Sequence, residues 1–281
     1  MSASLILISF VAYTVLLFTI AFVTSRKAGN DAFFLGERKS PWLVVAYGMI
    51  GASLSGVTFI SVPGWVQDSQ FSYLMVVFGY VLGYAVIAGV LLPLYYRLKL
   101  TSIYTYLEQR FGFWSYKTGA FYFLLSRIVG ASFRMFLVIN VLQIFVFDDY
   151  GVPFWITASV FILLIILYTF RGGIKTIVWT DTLQTTFMLL AVVVCFILIM
   201  NEMNLGLGEL IAQIKSSDYS KVINTGFNHP RFFIKEFLSG AFIAIVMTGL
   251  DQDMMQKNLS CKNLPDAQKN MMTLSIVLVF V

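Results

Sequence analysis

The chain has 281 residues, of which 59% are hydrophobic and only 12% charged, with a formal net charge of +5 and a mean hydropathy of +0.83. A soluble domain of this length carries about twice that charged fraction, so a water-soluble globule is excluded. The positive charge does not point to nucleic acid, because the basic residues are sorted by loop and form no single patch.

Apolar stretches recur at 5–23, 43–64, 72–96, 119–147, 152–170, 177–200 and 232–250. Each is long enough for a bilayer-spanning helix, which needs roughly 20 residues. An eighth begins at Met271 and stops at Val281, too short to span. It reads as the start of an element and the chain as a fragment of a longer protein, since a C-terminus in mid-span leaves helix carbonyls unpaired in lipid. The first span lacks the basic lead and the small-residue cleavage site of a signal peptide. Cys195 lies in a span and Cys261 in a loop, so no disulfide framework is implied.

The loops set the topology. Arg26, Lys27, Arg38 and Lys39 precede the second span; Arg97, Lys99, Arg110 and Lys117 follow the third; Arg171 and Lys175 separate the fifth and sixth; Lys257, Lys262 and Lys269 follow the seventh. These alternate loops hold thirteen basic residues against three in the others, which carry Asp68, Asp148 and Asp149. The positive-inside rule puts the N-terminus outside. Segment 100–112 is amphipathic and reads as a short interfacial helix on the inner face. Segment 205–217 has helical spacing and belongs on the outer face, and 218–230 reads as irregular.

Three features carry chemistry. Span 43–65 crowds Gly48, Gly51, Ser53, Ser55, Gly56, Thr58, Ser61, Pro63 and Gly64 into one helix. Small residues suit close packing, but this density also predicts a helix interrupted between about Ser55 and Ser61, where free carbonyls can replace the water around a cation. Asp181 follows RGGIKTIVWT inside the sixth span. An intramembrane carboxylate marks an ion, proton or substrate path; the alternative is a helix cap at the membrane boundary. Arg127 and Arg134 lie seven residues apart on one helix face, Arg134 deeper by about 10 Å. Each is either half of a buried ion pair, with Asp181 a candidate partner, or a bidentate ligand for a solute carboxylate. His229 lies in an outer loop and is assigned no role. Nucleophile elbows, HExxH, Walker-type GxxxxGK[ST] and paired cysteines with metal spacing are not found, so an enzyme is not expected.

Four stretches together resemble the sodium/solute symporter family: GASLSGVTFISVPGW at 51–65, YTYLEQRFG at 104–112, RGGIKTIVWTDTLQ at 171–184 and TGLDQDMMQKNLSCKNLPDAQKN at 248–270. The resemblance implies an all-α transmembrane, LeuT-like inverted-repeat bundle, truncated in its second repeat. Residues 1–281 then form one transmembrane domain. It comprises an extra N-terminal helix and inner loop (1–40), the first five-helix repeat (41–201), an outer loop (202–230) and the start of the second repeat (231–281). Span seven should be that repeat's broken helix, with Gly240 and Gly249 fitting loosely. The resemblance also implies sodium at the backbone carbonyls of Gly56 and Phe59, with Asp181 as a sodium-linked carboxylate and further ligands beyond Val281. Candidate solute contacts are Ser55, Thr58, Ser61, Arg127 and Arg134. The residues that sugar-carrying members use are replaced here by Val77, Ala244 and Leu278, so hexose is disfavoured. Sialic-acid members use an arginine on the third core helix, which leaves an acidic solute open.

The function this implies is sodium-coupled symport of a small organic solute by alternating access, in the plasma (inner) membrane. The competing expectation is a membrane sensor or channel-like protein on the same core.

Overall fold

The computed structural model describes residues 3–25, 40–100, 102–170 and 173–281. Arg26, Lys27, Arg38, Lys39, Arg171 and Gly172 of the topology and motif arguments lie outside them. Most of these residues are helical: α1 (Ala3–Ser25), α2 (Trp42–Ser53), α3 (Gly56–Ser69), α4 (Tyr73–Val86), α5 (Leu92–Arg97), α6 (Tyr104–Phe111), α7 (Phe113–Leu142), α8 (Phe154–Thr169), α9 (Gly173–Met203), α10 (Leu207–Ser216), α11 (Phe233–Ala244), α12 (Gln252–Leu259) and α13 (Leu264–Phe280). Single π-helical turns at Ile87–Leu91, Gln143–Phe147 and Ile245–Gly249 continue α4, α7 and α11.

Four stretches are long and apolar enough to cross a membrane: Ala3–Thr24, Val57–Arg97, Phe113–Tyr150 and Thr176–Met203. The second has 41 residues, about twice what one crossing needs. It turns at the 3-10 segment Gln70–Ser72, where Gln70 adopts φ 56°. The pair Phe233–Gly249 and Gln252–Leu259 is apolar enough only when its two helices are taken together, and it is bent by 68°. Trp42–Ser53 and Phe154–Thr169 are shorter apolar helices.

Two compact units divide the chain. The first comprises Met1–Ser40 and Leu100–Thr180. Its helices α1 and α8 meet through Phe10 on Phe161 and Phe18 on Tyr168, and Thr24 shares a 2.8 Å hydrogen bond with Thr176 at the start of α9. Gln143, in the π turn that ends α7, donates to Asp148 and to the Val152 carbonyl and accepts from Thr157. This closes the α7–α8 corner without orphaned polar atoms. The interfacial helix expected over 100–112 is α6, which lies against the start of α7 through Tyr104 and Phe123.

The second unit comprises Pro41–Lys99 and Asp181–Val281. Its core contains Val45, Met49, Ile87, Leu92, Met255, Leu259, Met271 and Leu274, all nearly or fully buried. Helices α4 and α11 pack at backbone distance because Gly79 and Gly240 supply no side chain. Helix α10 is the helix expected over 205–217, and Glu209 accepts from the Gly206 amide at its start.

Two expectations are corrected here. Residues 251–270, read as an inner loop, are mostly helical: α12, a short turn, and α13 beginning at Leu264 rather than Met271. The polar sequence hid α12, which is short and whose apolar face (Met254, Met255, Leu259) is buried. The interruption of the second span falls at Leu54–Ser55, at the leading edge of the expected stretch, and Gly56–Ser61 is helical and not unwound.

Candidate functional site

The break between α2 and α3 is two residues long. Leu54 (φ −95°, ψ 141°) and Ser55 (φ −129°, ψ 164°) are both extended. Leu54 still donates to the Ile50 carbonyl at 2.9 Å, and the Ser55 carbonyl accepts from Phe59 at 3.0 Å. The Ser55 hydroxyl caps α3, accepting from the Thr58 amide at 3.1 Å and bonding the Thr58 hydroxyl at 3.0 Å. This cap restarts the helix at once. Gly56, Thr58, Phe59 and Ser61 therefore sit in α3 and not in an unwound stretch.

Free carbonyls nonetheless arise at two places. The last turn of α2 has no following helical amides for its carbonyls. Within α3, the carbonyl of Phe59 would ordinarily accept from residue 63, which is Pro63 and has no N–H. The Phe59 carbonyl, one of the two expected sodium ligands, is thus released by a proline four residues on. The Gly56 carbonyl faces the amide of Ile60 and has no such release.

Asp181 lies on α9 beside this break. Its carbonyl accepts from the Thr185 hydroxyl at 2.7 Å, and a methyl group at Gly51 would overlap that same hydroxyl. Tyr47 and Thr186 bond across the same pair of helices at 3.1 Å. The turn bearing Asp181 therefore runs along the last turns of α2. Its carboxylate is not a helix cap. Its Oδ2 accepts from the Lys257 ammonium at 2.8 Å, and the two side chains are 16% and 6% exposed.

Lys257, the partner of Asp181, is the site residue that the sequence reading does not single out, since it counts there only as an inner-loop cation. The signal was present in the spacing. Met254, Met255 and Leu259 line one face of a short helix capped by Asp251, whose carboxylate accepts from the Met254 amide at 3.1 Å. Two tyrosines of α5 hold this half-helix in place. Tyr95 donates to the Gly249 carbonyl at 3.0 Å, at the bend. Tyr96 donates to the carbonyls of Asn258 and Cys261 at 3.1 Å, at the far end. From α13, Asn270 donates to the Asn258 side chain.

The remaining candidates, Arg127 and Arg134, stand on α7 in the other unit. The Arg127 guanidinium lies over the Phe123 ring at 5.6 Å. Burial pushes the Tyr104 phenol up and Arg127 opposes it, which places Arg127 beside helix α6. Arg134 is exposed and forms no ion pair among the described residues. Among those residues no group of three or more His, Cys, Asp and Glu is placed to hold a metal ion. The available donors are carbonyls, hydroxyls and one carboxylate, an oxygen set that suits a hard monovalent cation.

The model of the Sodium:solute symporter family matches residues 33–281. The chain belongs to that family. It is 26% identical over 256 residues to the sodium/sialic acid symporter NanT of Aliivibrio fischeri, covering 90% of this chain and 50% of that protein. It is 27% identical over 200 residues to the sodium/sialic acid symporter SiaT of Proteus mirabilis, covering 70% and 39%. It is 27% identical over 241 residues to the human sodium/iodide cotransporter, covering 84% and 36%. The chain thus spans half or less of the length of these relatives. A solved outward-open, substrate-bound Na+-coupled sialic acid symporter superposes with a TM-score of 0.81 at 23% identity, over 95% of this chain and 55% of that one. The fold is therefore the LeuT-like all-helical one that the motifs implied, and the protein is a multi-pass membrane protein.

Proposed function

We propose that the protein to which this chain belongs is a sodium-coupled secondary active symporter of a small anionic solute. The single observation that carries the reading is the two-residue break at Leu54–Ser55, with the Phe59 carbonyl released by Pro63 and the Asp181 turn packed beside it. Sodium is cargo here. The Phe59 carbonyl and the Asp181 carboxylate are the groups of this chain that would receive it, the Gly56 carbonyl being engaged within α3. Binding energy realised only in the sodium-loaded arrangement of the broken helix would raise affinity for the solute, and the coupling is reciprocal.

An anionic solute is favoured by the cargoes of the relatives named above, sialic acid and iodide. Arg134 is the group proposed to meet it, because a guanidinium binds a carboxylate through two hydrogen bonds; Arg127 is its second candidate. Ser55, Thr58 and Ser61, around the break in the second unit, are proposed separately as solute contacts. The orientation proposed is N-terminus outside, in the plasma (inner) membrane.

The test is uptake of N-acetylneuraminate and of lactate by the full-length protein in proteoliposomes. An inward sodium gradient should drive accumulation of one of them, and Asp181→Asn should reduce the sodium dependence more than the yield of folded protein. Equal uptake in sodium and in choline would overturn the symport reading. Wild-type sodium activation in Asp181→Asn would remove Asp181 from it.

A further inference from the structure

An isolated buried carboxylate carries a strong penalty. Asp181 escapes it through the ammonium of Lys257 at 2.8 Å. That ammonium has the same charge as a sodium ion and stands against the carboxylate that the symport reading gives to sodium. Lys257 rides on α12, the half-helix beyond the 68° bend, whereas Asp181 rides on α9. The contact is therefore a tie between a half-helix and a neighbouring long helix.

We propose that Lys257 is a built-in counter-cation, displaced from Asp181 when sodium binds, so that α12 is latched to α9 in the sodium-free protein and released in the loaded one. The proposal rests on the symport reading. Three features of the structure support it. Lysine is a compact charge on a flexible four-carbon stem, able to leave without dismantling a two-pronged bond. The displaced ammonium has a second acceptor, because Asp253 stands four residues earlier on the same helix, in the acid-first order that favours an i, i+4 pair. With Asp253 as acceptor for the displaced ammonium, a sodium ion arriving at Asp181 leaves both acids matched to a cation. Finally, α12 carries its own cap, the Asp251 carboxylate accepting from the Met254 amide, so its release is a movement of a preformed helix and not a melting.

The test is a sodium titration of the purified full-length protein, read by binding of radioactive sodium and by thermal shift, with three variants. Lys257→Met removes the competitor and should lower the sodium concentration at half-saturation by about fivefold or more, the lower end of coupling between two sites. Lys257→Arg holds the carboxylate through two hydrogen bonds and should raise it. Asp253→Asn removes the second acceptor and should also raise it. If Lys257→Met does not fold, the other two variants decide. Half-saturation unchanged in every folded variant, with a normal sodium response in the wild type, overturns the latch and leaves the symport reading intact. A wild-type protein with no sodium response overturns that reading, and the latch with it.

Discussion

Gly240 on α11 meets the backbone of Val76 on α4 so closely that a single methyl group would overlap the Val76 carbonyl. One turn earlier the relationship is reciprocated, with Gly79 set against the Phe237 carbonyl. The two helices touch backbone to backbone, and neither glycine can be enlarged without pushing them apart.

Gly240→Ala should therefore destabilise the protein by about 1–3 kcal/mol, the usual range for overpacking, and Gly79→Ala should do the same. Gly130→Ala is the control. Nothing lies within 4 Å of its missing Cβ, and a helical glycine replaced by alanine should gain up to about 1 kcal/mol. Thermal unfolding in detergent measures all three. Equal melting temperatures for Gly240→Ala and Gly130→Ala would mean that the close contact contributes nothing.

Ser55 is the second position with a defined cost. Its hydroxyl satisfies the Thr58 amide at the start of α3, so Ser55→Ala should cost about 0.5–2 kcal/mol, whereas Ser55→Thr should retain the cap. Hydrogen exchange resolved at the Thr58 amide checks the mechanism directly. Faster exchange is expected in Ser55→Ala alone, and equal protection in both variants would rule the cap out.

The two cysteines should differ in reactivity. Cys261 is fully buried, and burial pushes its thiol up to about 12. Since the thiolate is the reactive form, Cys261 should resist maleimide at neutral pH and react only after denaturation. Cys195 is exposed on α9 and should take a membrane-permeant maleimide in the folded protein. A second thiol titrating in native detergent solution at pH 7 would contradict the burial.

Orientation is tested with introduced cysteines. In a background lacking Cys195 and Cys261, position 149 should label from outside intact cells and position 262 should not, because the inner loops hold most of the basic residues. Both side chains are exposed, so access and not burial sets the result. The opposite labelling pattern would reverse the assignment.

Hydropathy made the long helices legible, because in lipid every backbone group must be satisfied within its own segment. The break in the second span was legible as well, since Gly, Ser and Thr density weakens a helix wherever it falls. Its extent was not, because that depends on which hydroxyl captures which amide, and Ser55 does so at the leading edge of the expected stretch. Asp181 stood out as an acid in an apolar run. Lys257 did not, because a lysine among polar residues is ordinarily solvated, and only the burial of its helix reveals the pair. The release of the Phe59 carbonyl was available in the sequence, four residues ahead of Pro63, and needed only the helix to be assumed continuous there.

The interruptions at Leu54–Ser55 and Leu250–Asp251 involve two residues each. Each joint therefore has about four backbone torsions, and freezing or freeing them involves only about 1–2 kcal/mol of conformational entropy per residue. A joint this small gains little by melting. Its alternatives are discrete settings of a few angles, each with both flanking helices intact. In the transport cycle proposed here, leak would come from geometries intermediate between the two access states, and short joints between rigid rods leave few of those to occupy.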